Sequence, residues 1–412
     1  MTKYVSFSLV FAPFLFAYYF PGTTVNLETI FMLFNGVLLL LYNIHNKKHI
    51  TWPKFFKLFT VYSLFTPFIG YCIYGDSGAI KSTFVSYIPF CLCFLQFPQL
   101  LSFKYIKKYY RILAYCSIIF FCVQEIMYYF LGWRLMGLIP FLPVSYSYTT
   151  MSAFIAKMSV LDRSMSFFLE PAHFAQYILG YLALILGENS YKGKIFSKES
   201  IIVSVVLLMT WSGNAILITC LLWAIFILKV NINRYLKYIV IIPTIFIVAS
   251  VSFTYISTSE KGAKILERSS ELSVNQNRVS SGMMRIYRGY FVFSEMNEIE
   301  QLFGVGTGTI PDVVEDSPYI FMFLEFERYV NTAQAILIGD GIIGTIFFLM
   351  FLLSMTFKGN SFSILYVSLF MGLSLMEGFW LSSKMLLYLS LAYYFSQYYR
   401  NNIQVKYKLT NG

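Results

Sequence analysis

Charge is what this sequence has least of. Only 12% of its 412 residues are charged, against about 25% in an ordinary soluble domain. Carboxylates are the scarcer sign, with 20 Asp and Glu facing 31 Lys and Arg, a net charge of +11. Six cysteines (72, 91, 93, 116, 122 and 220) fall inside apolar stretches without metal-ligand spacing. That excludes a secreted disulfide scaffold and leaves buried free thiols as the expectation. Low-complexity segments, an internal repeat, a Ser-His-Asp order, a zinc signature and a nucleotide loop ending in Lys-Ser/Thr are all missing. Disordered chains, ATP-driven pumps and almost all cytosolic enzymes are thereby set aside.

What is present is apolar: 58% of residues are hydrophobic and 20% aromatic, with a mean hydropathy of +0.64. A helix needs about 20 mostly apolar residues to cross a bilayer core. Runs of about that kind lie near 4–20, 25–43, 55–74, 79–100, 109–132, 171–187, 200–211, 213–229, 236–257, 333–356, 361–378 and 380–397. The run near 200–211 is short and adjoins the next at Trp211–Asn214. The first lacks a small-residue cleavage site and reads as a retained helix. The expected fold class is therefore all-α: one polytopic membrane domain over 1–412, a bundle of about twelve transmembrane helices.

Twelve spans can be tested against the rule that cytoplasmic segments are rich in Lys and Arg. With the N-terminus inside, 19 of the 31 basic residues fall in cytoplasmic segments, Lys47, Lys107 and Lys192 among them. Lys81 and Lys384 fall in short external turns, and the other ten occupy two long external loops, about 133–170 and 258–332. Long loops are exempt from the rule, so both termini are expected in the cytoplasm. The positive charge thus reads as membrane orientation, not as a nucleic-acid surface.

Arginine is distributed differently from lysine. Seven of ten arginines lie in the external loops: Arg134, Arg163, Arg268, Arg278, Arg285, Arg288 and Arg328. Only three of 21 lysines lie there. A guanidinium offers phosphate a fixed fork of donors and stays charged when partly desolvated. Arg278, Arg285 and Arg288 share a helical face by spacing. They read either as a phosphate clamp or as partners of the eleven acids of the same loop and of lipid headgroups. Glu125 and Asp340 each sit about 10 Å inside the external boundary at 1.5 Å per residue, and Glu377 and Lys384 flank another external turn. Charge at such depth implies either an outward-opening wet cavity or isolated pairs near the interface.

Glu170 precedes Pro171 at the start of the sixth span, where a carboxylate suits the helix N-terminus. It reads as a helix-start acid paired with Arg163, or as a base acting on a hydroxyl while Arg163 holds phosphate. His173 is the only histidine outside the segment carrying His45 and His49, and it is a second candidate base or a structural ring. Gly304-Val-Gly306-Thr-Gly308 lacks the strand of a nucleotide loop and reads as a flexible turn. Asp312, Glu315 and Asp316 match no Ca²⁺-loop spacing and read as a solvated acidic turn.

Three stretches carry a resemblance. They are Arg163 through Glu170-Pro171, then Arg285-Ile-Tyr-Arg288 followed by Leu302 through Gly308, and last Asn331 followed by Gly341-Ile-Ile-Gly344. In this order, with the twelve-span layout, the chain resembles the O-antigen polymerase and ligase superfamily of bacterial envelope proteins over nearly its whole length. The family often has a histidine immediately before the asparagine matched by Asn331; here that residue is Val330, which favours a repeat-unit polymerase over a ligase. The arginine–glycine spacing described for some polymerases is absent after Arg163 and Arg285. The resemblance implies a plasma-membrane glycosyltransferase, without metal or cofactor, whose donor and acceptor are oligosaccharides on undecaprenyl pyrophosphate. Arg163, Arg278, Arg285 and Arg288 would hold pyrophosphate, and Glu170 or His173 would take the proton. Glu125, Asn331, Asp340 and Glu377 would line the cavity, and a chain-length regulator would be a compatible partner. An O-antigen ligase and, in a different class, a lipid-linked oligosaccharide flippase are the alternatives.

Overall fold

A computed structural model describes residues 1–21, 25–47, 50–139, 142–144, 163–229, 281–323, 330–357 and 359–399, with backbone alone for 281–285 and 398–399. The run near 236–257 lies outside the described residues, as do Arg268, Arg278 and Arg328. Among the described residues the fold is helical, and the extended pairings are the isolated bridges of Tyr18 with Val144 and of Tyr19 with Asn26.

In chain order the helices are α1 (Thr2–Phe11), α2 (Leu27–His45), α3 (Lys54–Tyr74), α4 (Ser77–Leu100), α5 (Phe103–Leu131), α6 (Pro171–Tyr191), α7 (Lys198–Met209) and α8 (Gly213–Lys229). They continue as α9 (Ser281–Glu295), α10 (Glu298–Phe303), α11 (Ile310–Asp316), α12 (Thr332–Phe357), α13 (Ser361–Ser374) and α14 (Ser383–Tyr394). Five of them, α2, α3, α4, α5 and α12, are long and apolar enough to cross a membrane. Several other expected spans are shorter than the apolar run that suggested them. α1 gives way at Pro13 to a 3-10 turn, Ala12–Ala17. α7 and α14 have 12 residues and α13 has 14, about 18–21 Å of rise against a hydrocarbon core of about 30 Å.

α6 is the central rod of the bundle, buried on nearly every side. Three tyrosines fix its axial position: Tyr388 Oη donates to Gln176 O (2.9 Å), Tyr110 Oη to Tyr177 O (2.8 Å) and Tyr366 Oη to Gly180 O (2.8 Å). Each buries a phenol and satisfies its hydroxyl in one contact. α5 runs antiparallel to α6. Phe121 stacks on Phe174 near one end (5.0 Å), and Lys107 meets Glu188 near the other (2.6 Å). The end at which α5 stops and α6 begins is called the loop end below. α7 and α8 form a hairpin, with Trp223 Nε1 donating to Ser204 Oγ (2.9 Å), and its tip at Trp211–Gly213 also reaches the loop end.

Two irregular segments enter the bundle from that end. The first, 163–170, runs down beside α5. Ser166 N donates to Gln124 Oε1 (2.7 Å) and Ser166 Oγ to Ser117 O (2.7 Å). Ser117 lies 15 residues before Gly132, so the segment reaches about 22 Å below the end of α5. The second, Gly304–Gly308, wedges between α3, α4 and α12. Gly306 N donates to Gly339 O (2.7 Å), Val305 N to Ile338 O (3.3 Å) and Gly308 N to Thr83 Oγ1 (3.0 Å). The two carbonyls are free to accept because α12 breaks at Gly341 (φ 64°, ψ −172°). The glycine-rich stretch is thus a docked wedge and not the flexible turn expected from its composition.

All six cysteines are free thiols, but Cys72, Cys116 and Cys220 face outward from the helices and only Cys93 is fully inside the protein. Free thiols buried in the bilayer were the expectation, and outward-facing thiols on apolar helices agree with it. An apolar helix of this kind turns apolar residues outward as well as inward, so composition does not separate the two faces.

The wedge depends on glycine at Gly306, whose φ is +84° and where an added Cβ would stand 2.6 Å from Pro67 Cα. Gly306→Ala is expected to destabilise the purified protein by about 1–3 kcal/mol in detergent melts. Gly213→Ala, where a methyl meets nothing within 4 Å, is the control. Coincident melting of the two variants would show that the wedge is not held in this conformation.

Candidate functional site

The last turns of α5 and the re-entrant 163–170 segment enclose a cavity of about 270 Å³, lined by Gln124, Tyr128, Trp133, Arg134, Arg163 and Ser164 among others. Two guanidinium groups therefore face one space. Arg134 stacks over the Tyr128 ring (3.6 Å to its centroid), donates from Nε to Ser164 Oγ (3.2 Å) and stands 3.9 Å from Glu125 Oε1. Glu125 in turn accepts from Ser164 N (3.2 Å). Arg163 Nη1 donates to Trp211 O (3.0 Å) at the tip of the α7–α8 hairpin. These contacts hold both side chains in place, and the planar fork of a guanidinium suits a planar or tetrahedral oxyanion.

Past Trp211, the same tip contributes Asn214, whose Nδ2 donates to Glu377 Oε1. Glu377 leads to a group of ionisable side chains at the starts of α2, α6 and α14. Lys384 is 2% exposed; its Nζ donates to Gln176 Oε1 (2.8 Å) and lies 4.2 Å over the Phe16 ring. The carboxylates of Glu377, Glu28 and Glu170 all act on that ammonium through space. Glu28, 3% exposed, accepts from Ser383 N (3.2 Å) and from Ser383 Oγ. Glu170 is the N-cap residue of α6, yet its side chain makes no capping bond to the helix. His173 packs edge-to-face on Phe16, with centroids 5.1 Å apart, so histidine and lysine share one aromatic partner.

Backbone strain gathers at the same place. Four non-glycine residues among the described residues have left-handed φ, and three of them border this site: Ser166 (55°), Trp211 (51°) and Leu381 (56°). Each such residue costs about 1–3 kcal/mol unless its surroundings impose it, and such strain concentrates at functional sites.

Among the residues expected from sequence, Arg163, Glu170, His173, Glu377 and Glu125 converge here. Asn331 has a more structural part. It caps α12 reciprocally with Gln334 (Gln334 N to Asn331 Oδ1, 2.9 Å; Asn331 N to Gln334 Oε1, 3.1 Å) and donates to Leu375 O (2.9 Å). Its neighbour Thr332 donates from N and Oγ1 to Glu377 O (both 2.9 Å), so the cap anchors the loop carrying Glu377. Arg288 turns into a second core under α9, 3% exposed and 4.6 Å from the centroid of Phe323. It is a buried cation–π residue, not part of an open clamp. Arg285 lies on α9 with its side chain outside the described residues, as is all of Arg278. Asp340 sits apart, among α3 and α4 residues.

Sequence reasoning passed over Glu28 and Gln176 as parts of the site, placed Arg134 only among the external arginines, and read Lys384 as a turn residue that could pair with Glu377. Glu28 looks like any acid at a helix start, and only the fold brings it to Lys384, 356 positions away. No protein-family model matches the chain, and no curated protein matches it. Chemically, the arrangement offers an oxyanion cavity beside a group of carboxylates, of which Glu28 is buried and Glu170 opens α6.

Removing the buried Lys384 ammonium from this carboxylate group leaves charge uncompensated. Lys384→Met is expected to lower stability by about 3–5 kcal/mol in detergent melts, and Glu28→Gln added to it should restore part of the loss. Strict additivity of the two substitutions would mean the groups are not coupled.

Proposed function

We propose that the chain is a repeat-unit polymerase of the bacterial plasma membrane. It joins undecaprenyl-pyrophosphate-linked oligosaccharides into O-antigen, capsule or exopolysaccharide at the outer leaflet. The observation that carries the reading is the convergence of Arg134 and Arg163 on one cavity, next to the carboxylates grouped around Lys384. In this reading the loop end faces outward, both termini lie in the cytoplasm, and the twelve apolar runs of the sequence traverse the bilayer. Shorter helices complete their crossing together with the segments that dip in from the loop end.

The donor brings its own leaving group. An acceptor hydroxyl on the next lipid-linked unit attacks the anomeric carbon, the carbon–oxygen bond to pyrophosphate breaks, and undecaprenyl pyrophosphate departs with the electron pair. Arg163 and Arg134 bind the charge that develops on the leaving oxygen, a contribution worth most in a dry site. Glu170 takes the hydroxyl proton or orients the acceptor, with His173, less than one turn into α6, as the second candidate. Asn331 and Thr332 hold the Glu377 loop in place.

One observation favours a second reading. The break in α12 beside Asp340 is the kind of discontinuity that lines sites in transporters, which supports a lipid-linked oligosaccharide flippase. A ligase would share the donor but pass the glycan to another acceptor.

The size profile of surface and lipid-linked glycan in a deletion strain separates the three. A polymerase leaves surface glycan one repeat unit long, with a ladder on complementation. Polymer stranded on its lipid carrier means a ligase, and single units held on the cytoplasmic side mean a flippase. Complementation with Arg163→Ala is expected to lower polymer yield roughly 100-fold at equal protein level, and Arg163→Lys should fail to restore it because the fork of donors is lost. A full ladder from Arg163→Ala would remove the arginine from the mechanism.

A further inference from the structure

Asp340 is fully buried, and neither carboxylate oxygen has a partner at regular hydrogen-bond geometry, although three hydroxyls stand close enough to act on it. Its neighbours are the hydroxyls of Ser63 and Thr66 on α3 and of Tyr87 on α4. Those three side chains are each no more than 2% exposed. Ser63 Oγ and Tyr87 Oη are also without hydrogen-bond partners, and Thr66 Oγ1 spends its proton on Ser63 O (3.1 Å), which leaves its lone pairs directed elsewhere. Two helices thus turn hydroxyl oxygens towards one carboxylate on a third.

The backbone beside it adds to the same field. Thr332–Asp340 is a half-helix that ends where α12 breaks at Gly341, so its negative dipole end meets the group. Such half-helix ends, with side-chain oxygens around them, are where membrane proteins hold Na⁺. A buried carboxylate facing hydroxyls either takes up a proton or is balanced by a counter-charge, because an uncompensated charge in a low-dielectric interior is costly by several kcal/mol. Among the described residues no Lys or Arg forms an ion pair with Asp340.

We propose that Asp340, Ser63, Thr66 and Tyr87 form a binding site for a small monovalent cation, Na⁺, at the break in α12. The donor set is all oxygen, as a hard cation requires, and a single carboxylate balances one positive charge, whereas divalent sites recruit more. The bound ion ties α3, α4 and α12 together. It lies directly behind the wedge, since Tyr62, which donates to Phe303 O (2.8 Å), packs with Asp340 around Gly344. Cation occupancy therefore stabilises the docked position of Gly304–Gly308. The site is independent of the polymerase reading, and its test reads cation binding, not glycan.

The full chain, purified in detergent, is melted in NaCl, KCl and choline chloride at equal ionic strength, and binding of radiolabelled Na⁺ is measured directly. The expected result is a saturable rise in Tm with Na⁺ over choline, with K⁺ well below Na⁺, matched by saturable tracer binding. Tyr87→Phe, which keeps the ring and removes one ligand, should raise the half-maximal Na⁺ concentration about tenfold. Asp340→Asn should abolish both the response and the binding. Equal melting in all three salts would overturn the proposal and identify Asp340 as a neutral, protonated acid. An equal response to K⁺ overturns the assignment of a small cation. A Na⁺ response that survives in both Tyr87→Phe and Asp340→Asn places the ion elsewhere.

Discussion

Backbone amide and carbonyl groups inside an apolar bundle must find partners within the protein, because no solvent is there to supply them. The loop end is organised around that constraint. Irregular chain reaches deep between helices in two places, and in both the helices give up donors or acceptors to receive it. At 163–170 the receiving groups are side chains and a spare carbonyl of α5: Gln124 both donates and accepts, through Leu135 O (2.7 Å) and Ser166 N (2.7 Å). At Gly304–Gly308 they are carbonyls of α12, available only because that helix stops and restarts at Gly341. The second solution changes the helix itself, and it leaves a buried acid at the break. A site for charge follows from the way the backbone was accommodated.

The central helix converts this local accommodation into geometry. α6 begins at Pro171, level with the middle of the bundle, because the preceding residues descend before the helix starts. Tyr110, Tyr366 and Tyr388 then lock it axially by bonding to the carbonyls of Tyr177, Gly180 and Gln176. Glu170, Gln176 and His173 consequently stand at a fixed height, with Lys384 beside them on α14. Had the 163–170 segment stayed above the bundle, the carboxylate that opens α6 would lie in water, far from Glu28 and Lys384. The depth of one irregular segment sets the composition of the acid–lysine group.

The helical class and the long apolar helices could be read from residue type and order, because apolar length is written locally. Arg163, Glu170 and Glu377 were found the same way, as charges out of place in an apolar chain. What escaped was set by long-range fold. An apolar run does not say where a helix stops, so Pro13 and the irregular 375–382 stretch shortened segments that looked longer. Helical spacing put Arg288 in a clamp, but its face of α9 turns to Phe323. The glycines of 304–308 carry the signal of conformational freedom, whether the turn is loose or wedged against three helices; only the matching break at Gly341 distinguishes the two. Glu28 offered no signal at all, being an ordinary acid in a first turn.

Charge balance connects the two halves of the site. Around Lys384 three carboxylates face one ammonium, an arrangement that is formally negative by two. Beside it, across the Trp211–Asn214 tip, the cavity holds two guanidiniums against the one carboxylate of Glu125. A polyanion entering the cavity would be drawn by the arginines and opposed by the acids. Asn214 is positioned to couple these effects, since it grips Glu377 from the same tip whose carbonyl holds Arg163. Any shift of Arg163 towards a ligand loosens its bond to Trp211 O and, through that tip, the hold on Glu377.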